Sequence, residues 1–253
     1  MTKSAYNDRD FDAMPGRGLT ARWVLIATLR LETAAHFGGQ GDSALDMPIL
    51  RCARTGQPLL PGTSLAGALR AYLLDRFVGY GYERNGSPDE CNDCQGDGLT
   101  KVAKAFGGAR GDDDGSQSPL IVFDALGTLP TTSAQSEVRD GVMIETATGL
   151  AADHKKFDFE VLPRGTTFGV RFDLLVPDGA DERELLSLLC AALEGLGNGD
   201  IRVGLRRSRG LGEVSCGGWT APAIRSLGTG RLARVDWQRL RSPPGYAIGK
   251  NSS

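Results

Sequence analysis

Between residues 20 and 32 apolar and polar positions alternate. Trp23, Leu25, Ala27, Leu29 and Leu31 share one face, while Arg22, Thr28, Arg30 and Glu32 fall on the other. A period of two is that of a half-buried strand. After a loop from Gly38 to Asp46 the period changes: Leu65, Ala68, Leu69, Tyr72, Leu73 and Phe77 recur at helical spacing, behind Thr63 or Ser64 as the expected cap. A polar stretch rich in Gly and Asp, from about Gly79 to Ser118, reads as an insert, and PLIVFDAL from Pro119 reads as a buried strand. No period holds from Thr131 to Lys156, which predicts a long irregular excursion. Alternation resumes with Phe157, Phe159 and Val161, then a Pro-Arg-Gly-Thr turn, then Phe168, Val170, Phe172 and Leu174, the pattern of a hairpin. Leu185, Leu188, Leu189, Ala192, Leu193 and Leu196 mark a second helix after the acidic turn Asp181 to Glu184, and Leu211 to Cys216 reads as the last strand.

The order β-α-β-β-α-β predicts an α+β, ferredoxin-like core with long insertions. RNA-recognition domains share that fold, which by itself decides no function. The expected organisation is a flexible N-terminus over residues 1–18, one domain over 19–220, and a partly disordered C-terminal extension over 221–253. The insert at 79–118 and the excursion at 131–156 belong to the domain. No internal repeat is evident.

Composition narrows the class. The 253 residues, 40% hydrophobic and 24% charged, describe a soluble globular chain with no apolar run near the length of a membrane span. Five cysteines, an odd count, suit a reducing cytoplasm better than a disulfide framework. The net charge of −2 argues against a nucleic-acid binder until its distribution is considered. From Ile201 to Arg241 nine arginines face only Glu213 and Asp236, whereas Gly79 to Ser118 holds eight acids against four bases. Within the basic stretch, Arg202, Arg206, Arg207 and Arg209 are interleaved with glycines. Glycine allows close backbone approach, and arginine forks match phosphate oxygens. A polyanionic backbone held without base reading is the ligand this combination suggests.

Four segments together resemble the RAMP superfamily, the repeat-associated proteins of CRISPR effector complexes, and within it the backbone subunit of type III complexes. They are ALDMPILR…TGQPLLPGTSLAGALR (Ala44 to Arg70), FGG…SPLIVFDA (Phe106 to Ala125), VRDGVMIETATGLAADHKKFDFEVLPRGTTF (Val138 to Phe168) and GLRRSRGLGEV (Gly204 to Val214). The resemblance implies a subunit that polymerises along a guide RNA, grips its phosphates, and disrupts the guide–target duplex with a projecting thumb, here residues 131–156. It implies phosphate contacts at Ser64, Arg70, Arg206, Arg207, Arg209 and Gly210, with the amides at the start of the first helix as a further anion site. The partners it implies are guide RNA, target RNA, other copies of the chain or related backbone subunits, and further effector subunits, with no membrane.

The same resemblance places a target-cutting aspartate at Asp46, aided by Mg²⁺ or Mn²⁺, to position a 2′-hydroxyl for attack on the splayed phosphate. The segment departs from the family pattern at Cys52 and Ala53, where Asp-Pro often follows the arginine. Asp42 lies four residues before Asp46 and competes for the assignment. His36, at the end of the first strand, corresponds to a histidine that some relatives use to process precursor guides; a structural or RNA-contacting role is the alternative. His154 falls in the thumb. Cys91 and Cys94 form one CxxC, half of a structural Zn²⁺ site, with Cys52 or His36 as distant candidates to complete it. Cys190 and Cys216 read as core. The competing expectations are a catalytically silent scaffold, and a small-molecule enzyme using the glycine loop for a nucleotide phosphate. The latter lacks a Walker lysine motif and a GxGxxG after the first strand.

Overall fold

The computed structural model describes residues 19–39, 45–77, 97–107, 117–133, 135–144, 151–220 and 223–225. Its elements are β1 (Leu19–Leu31), β2 (Leu59–Leu60), α1 (Gly62–Phe77), α2 (Asp97–Phe106), β3 (Leu120–Val122), β4 (Ala125–Thr128), β5 (Glu137–Ile144), β6 (Ala151–Val161), β7 (Thr167–Pro177), α3 (Glu182–Gly197), β8 (Val214–Thr220) and β9 (Ala223–Arg225). The architecture is mixed α+β. One antiparallel sheet runs in the order β2-β4-β7-β1-β8, with β3 also on β7 and β9 also on β1, while β5 and β6 form a separate two-stranded sheet. Among the described residues no helix is long and apolar enough to cross a membrane.

The alternation read in β1 is the register of its burial. Trp23, Leu25, Leu29 and Leu31 are wholly enclosed, against Phe168, Val170, Phe172 and Leu174 of β7, Leu65, Leu69 and Leu73 of α1, and Leu189 and Leu196 of α3. On the other face of the sheet the buried carboxylate of Asp173 is answered by Arg22 and Arg171, so the charge is paired rather than stranded. Asp181 caps α3 by accepting from the Arg183 and Glu184 amides, and Glu182 and Glu184 suit the positive end of the helix dipole.

Four expectations are corrected. The first helix is capped neither by Thr63 nor by Ser64: it starts at Gly62, whose amide donates to Asp124 Oδ1 at 2.7 Å. The packing is so close that a Cβ on Gly62 would stand 2.1 Å from the Val122 carbonyl oxygen, which only glycine permits. Second, PLIVFDAL is not one strand: it breaks at Phe123 and Asp124 between β3 and β4, although Phe123 N–H still donates to the Arg171 carbonyl of β7, and Asp124 supplies the cap. Third, the segments on either side of Pro163 are not a hairpin, because β6 turns away to pair with β5 (Glu137↔Val161 through Ile144↔Ala151), while β7 pairs with β1. Finally, the polar insert carries a helix, α2, whose Val102 and Ala105 are buried.

Residues 1–18, Cys91 and Cys94 with their expected Zn²⁺ site, Asp42, and most of 221–253 lie outside the described residues.

Candidate nucleic-acid interface

The Arg-Gly segment is a closed loop with a neck. Val203 N–H donates to the Gly212 carbonyl at 2.8 Å, and Gly212 N–H donates to the Ala34 carbonyl at 2.8 Å. At Gly212 φ is +79° and a Cβ would stand 1.9 Å from the Val203 carbonyl oxygen, so the neck can form only on glycine. Leu205 N–H donates to the His36 carbonyl at 2.9 Å, lacing the loop to the chain that leaves β1. The tip is a 3₁₀ turn over Arg207–Arg209, entered through Arg206 in a left-handed conformation (φ 58°) and left through Gly210 at φ 81°.

Between this loop, the end of β1 and the first turns of α1 lies a groove of about 470 Å³. His36, Ser64, Arg202 and Arg207 line it, with Gly38 and Gly67. Three of the residues expected from sequence therefore meet in one place: His36, Ser64 and Arg207. Arg202 joins them, also donating to the Arg207 carbonyl at 3.1 Å and lying 3.8 Å from Glu213. Both arginines are exposed. The amides at the start of α1 are partly spent: Gly62 N–H on Asp124 and Ser64 N–H on the Pro61 carbonyl. Ser64 thus offers its hydroxyl to this groove. Arg70 is half-buried on α1 and lines neither this groove nor the cleft described next.

Arg206 and Arg209 turn to the other side of the loop. With Arg139 and Asp140 of β5 they line a smaller cleft of about 150 Å³ against the β5–β6 hairpin. The Arg206 guanidinium lies 4.1 Å from the centre of the Phe159 ring and 4.7 Å from that of Phe157. Burial, with the charge of Arg209 nearby, holds its pKa below the usual arginine range. Phe157 in turn covers Gly141 across the strand pair, where a Cβ would stand 2.3 Å from the ring. Phe159, Val161, Ala34 and Leu211 form a small second core with Met47 and Phe157 packed on it, which ties the base of the hairpin to the loop.

Asp46 belongs to this same corner. Its exposed carboxylate accepts from the Asp158 amide at 3.0 Å, and Met47 N–H donates to the Asp158 carbonyl at 3.1 Å. Glu160 N–H donates to the Met47 carbonyl at 2.9 Å, so residues 46–48 lie as a short parallel rung along β6. On their other side, Gly39 N–H donates to the Pro48 carbonyl and Leu50 N–H to the Phe37 carbonyl. Arg206 reaches Met47 Sδ at 3.6 Å. The segment around Asp46 is thereby clamped between β6 and the chain that forms the groove wall.

One residue that the sequence did not single out organises this clamp. Glu160 is 7% exposed, and its carboxylate accepts from the Ile49 amide at 2.9 Å, from Arg51 at 2.5 Å, and from the Ser136 hydroxyl. Burial pushes its pKa up, but the Ser136, Ile49 and Arg51 hydrogen bonds outweigh that and hold the carboxyl below the usual glutamate range. Its carbonyl oxygen lies 2.6 Å from His36 Nδ1. Alternation in FDFEV puts Glu160 on the face opposite Phe159, as for a solvent-facing residue; the 47–51 segment covers that face. Arg51 lies more than a hundred residues before Glu160, so no local signal in the sequence announces the pair.

Among the described residues no group of three or more His, Cys, Asp or Glu side chains is placed to hold a metal ion. Asp46 supplies one carboxylate. That suffices for a Mg²⁺ that keeps most of its waters and takes other ligands from a phosphate, as this ion commonly does.

Comparison with known proteins gives the chain relatives along most of its length. Over 218 residues the chain is 27% identical to the "CRISPR system Cms endoribonuclease Csm3" of Methanothermobacter thermautotrophicus, covering 76% of this chain and 82% of that protein. The protein of the same name from Methanocaldococcus jannaschii is 32% identical over 95 residues, 35% of this chain and 36% of its own length. The family profile described as "RAMPs: RAMP superfamily" matches residues 28–215, from within β1 to the start of β8 and through both clefts. The chain belongs to the RAMP superfamily.

Proposed function

We propose that this chain is a guide-RNA-binding backbone subunit of a type III-like CRISPR effector, which grips guide phosphates in the 470 Å³ groove and cuts bound complementary RNA at Asp46. The observation that carries the reading is the junction of two clefts on one loop. Arg202 and Arg207 serve a groove of phosphate-compatible donors, while Arg206 on the opposite side reaches Met47, beside Asp46. Arginine and glycine contacts to a sugar-phosphate chain carry no base information, which suits a subunit that must accept any guide. The connectivity β1-α1-β3/β4-β7-α3-β8, with the sheet order β4-β7-β1-β8, supports a ferredoxin-like core bearing the hairpin as an insertion.

The β5–β6 hairpin is the thumb of this reading. Val138 and Val142 are exposed on it, at 54% and 49%, apolar side chains without a protein core to cover them. Wedged against a base step, they would unstack a guide–target duplex at the price of a few kcal/mol. The cut is transesterification: the 2′-oxygen of the target attacks the adjacent phosphorus, the P–O5′ bond breaks, and the products are a 2′,3′-cyclic phosphate and a 5′-hydroxyl. The Asp158 amide fixes Asp46 Oδ2, leaving Oδ1 to orient the 2′-hydroxyl or to hold a divalent ion. When bound, that ion supplies charge neutralisation at the phosphate. The complex is a cytoplasmic ribonucleoprotein in this account, assembled from copies of the chain, related subunits and guide RNA.

The test uses the assembled complex with a guide, a labelled complementary RNA and Mg²⁺. Asp46→Ala is expected to retain guide and target but to lose the regularly spaced cuts. Cuts that persist in the variant would move the chemistry to another residue, and binding without cutting in wild type as well would leave a silent scaffold.

A further inference from the structure

We propose that His36 reads the ribose of the bound strand, its Nε2 accepting a hydrogen bond from a 2′-hydroxyl, and that Gly67 is the gap through which the sugar-phosphate chain comes close enough to do so. The inference rests on the reading of the groove as an RNA site and adds to it a residue that selects the sugar.

His36 is fully buried, and its ring stands edge-on to Phe159, with centroids 6.4 Å apart. Nδ1 lies 2.6 Å from the Glu160 carbonyl oxygen. A carbonyl only accepts, so Nδ1 carries the proton, and in the neutral ring Nε2 presents a lone pair. Among the described residues, Nε2 is the one buried side-chain polar atom with no hydrogen-bond partner. Buried polar atoms are as a rule paired, so such an orphan points to a partner from outside the chain.

Its neighbours say where that partner comes from. The ring lines the groove, and a Cβ on the exposed Gly38 would stand 3.6 Å from Nε2 and 3.5 Å from Leu205 Cδ1. Leu205 is 49% exposed, so its tip can rotate into solvent at little cost and admit a ligand atom. Arg202 and Arg207 are pure donors and answer phosphate oxygens. Nε2 is the opposite: it needs an O–H or N–H. Base N–H groups vary with sequence, and of the parts every nucleotide shares a phosphodiester and a deoxyribose bring no donor, whereas ribose brings its 2′-hydroxyl, the group by which proteins tell RNA from DNA.

Gly67 is the independent observation. It lies in the middle of α1, is exposed, lines the same groove, and a Cβ there would meet nothing within 4 Å. Mid-helix glycine is disfavoured against alanine, and no packing among the described residues explains it here. A ligand backbone in contact with the helix does.

The experiment titrates the full chain with three labelled single strands of one mixed sequence: RNA, its 2′-fluoro analogue, and DNA. Fluorine keeps the sugar pucker and nearly the size of the hydroxyl but cannot donate. Wild type should bind RNA about fivefold to tenfold more tightly than the 2′-fluoro strand, the scale expected when a buried acceptor is left unpaired. His36→Phe keeps an aromatic ring against Phe159 and removes the lone pair; its RNA to 2′-fluoro ratio should fall to about one, mostly through weaker RNA binding. Gly67→Ala should melt no lower than wild type and yet bind RNA several-fold more weakly, a combination that loss of folding cannot produce. Equal affinity of wild type for RNA and 2′-fluoro RNA, or an unchanged ratio in His36→Phe, overturns the assignment while leaving guide binding intact. If wild type binds none of the strands, the guide-binding reading falls, and this one with it.

Discussion

Removing the Glu160 carboxylate should loosen the clamp around Asp46 by an amount the structure allows to be estimated. In Glu160→Ala the Ile49 amide, on a residue 4% exposed, loses its acceptor in a site that water reaches poorly. An orphaned buried donor costs about 1–3 kcal/mol. Arg51, whose side chain is 39% exposed, rehydrates on losing its partner, so its share is discounted to about 1 kcal/mol or less. Ser136 is half-buried and adds a fraction of that. The total is about 2–4 kcal/mol, and at roughly 2–4 °C per kcal/mol for a domain of this size the melting temperature should drop by roughly 5–15 °C. Glu160→Gln keeps an acceptor for Ile49 and should cost about half as much. The acid limb gives a second readout. Because the folded carboxyl is held below its unfolded value, its contribution is fully present above the ordinary glutamate range and is lost as pH falls through the folded value. Wild type should therefore lose more stability than Glu160→Gln on going from neutral pH to about pH 3. Calorimetric melts across that range check both. An alanine variant melting within a degree of wild type would refute the clamp.

Arg206→Lys removes a planar cation from the Phe157 and Phe159 rings and from Met47, and should cost about 1 kcal/mol of stability while slowing target cleavage more than it weakens guide binding; parallel melts and cleavage rates decide this. Gly62→Ala forces a Cβ to 2.1 Å from the Val122 carbonyl oxygen and should displace α1 from β3, lowering the urea midpoint by an amount corresponding to more than about 2 kcal/mol. Alkylation at about pH 8, followed by peptide mapping, should modify Cys52 well before Cys216. Hydrogen bonds from Thr55 lower the Cys52 thiol, whereas burial pushes Cys216 up to about 12.

The legible parts of the chain are those whose burial follows the local period. β1, β7 and α3 each show one face to the main core, so the spacing of Trp23, Leu25 and Leu29, of Phe168 to Leu174, and of Leu185 to Leu196 gave their class and nearly their ends. β5 was not legible because it stands away from that core: Val138 and Val142 are exposed, and Asp140 and Gly141 interrupt the alternation. The pairing of β6 was misread for a related reason. Phe157, Phe159 and Val161 do share a face, but it packs on Ala34 and Leu211 and not on the main core. Non-local contacts were invisible as well. Nothing near Gly62 announces that Asp124 supplies its cap, and Glu160 lies more than a hundred residues from Ile49 and Arg51. At the interface the sequence pointed to the Arg-Gly loop and the Asp46 segment, which the structure brings to one corner of the molecule. It did not separate Arg207, in the groove, from Arg206, stacked against the hairpin.

The central claim, that the groove side of the Arg-Gly loop grips phosphates while Asp46 stands apart from that grip, is tested most directly by the salt dependence of guide binding. Affinity of the full chain for a single-stranded RNA would be measured over a series of salt concentrations for wild type, Arg207→Ala and Asp46→Ala. Each lost phosphate contact lowers the slope of log affinity against log salt by about 0.7 for a single strand. The account predicts that reduction, with weaker binding, for Arg207→Ala, and an unchanged slope for Asp46→Ala. An Arg207→Ala slope equal to that of wild type would contradict it.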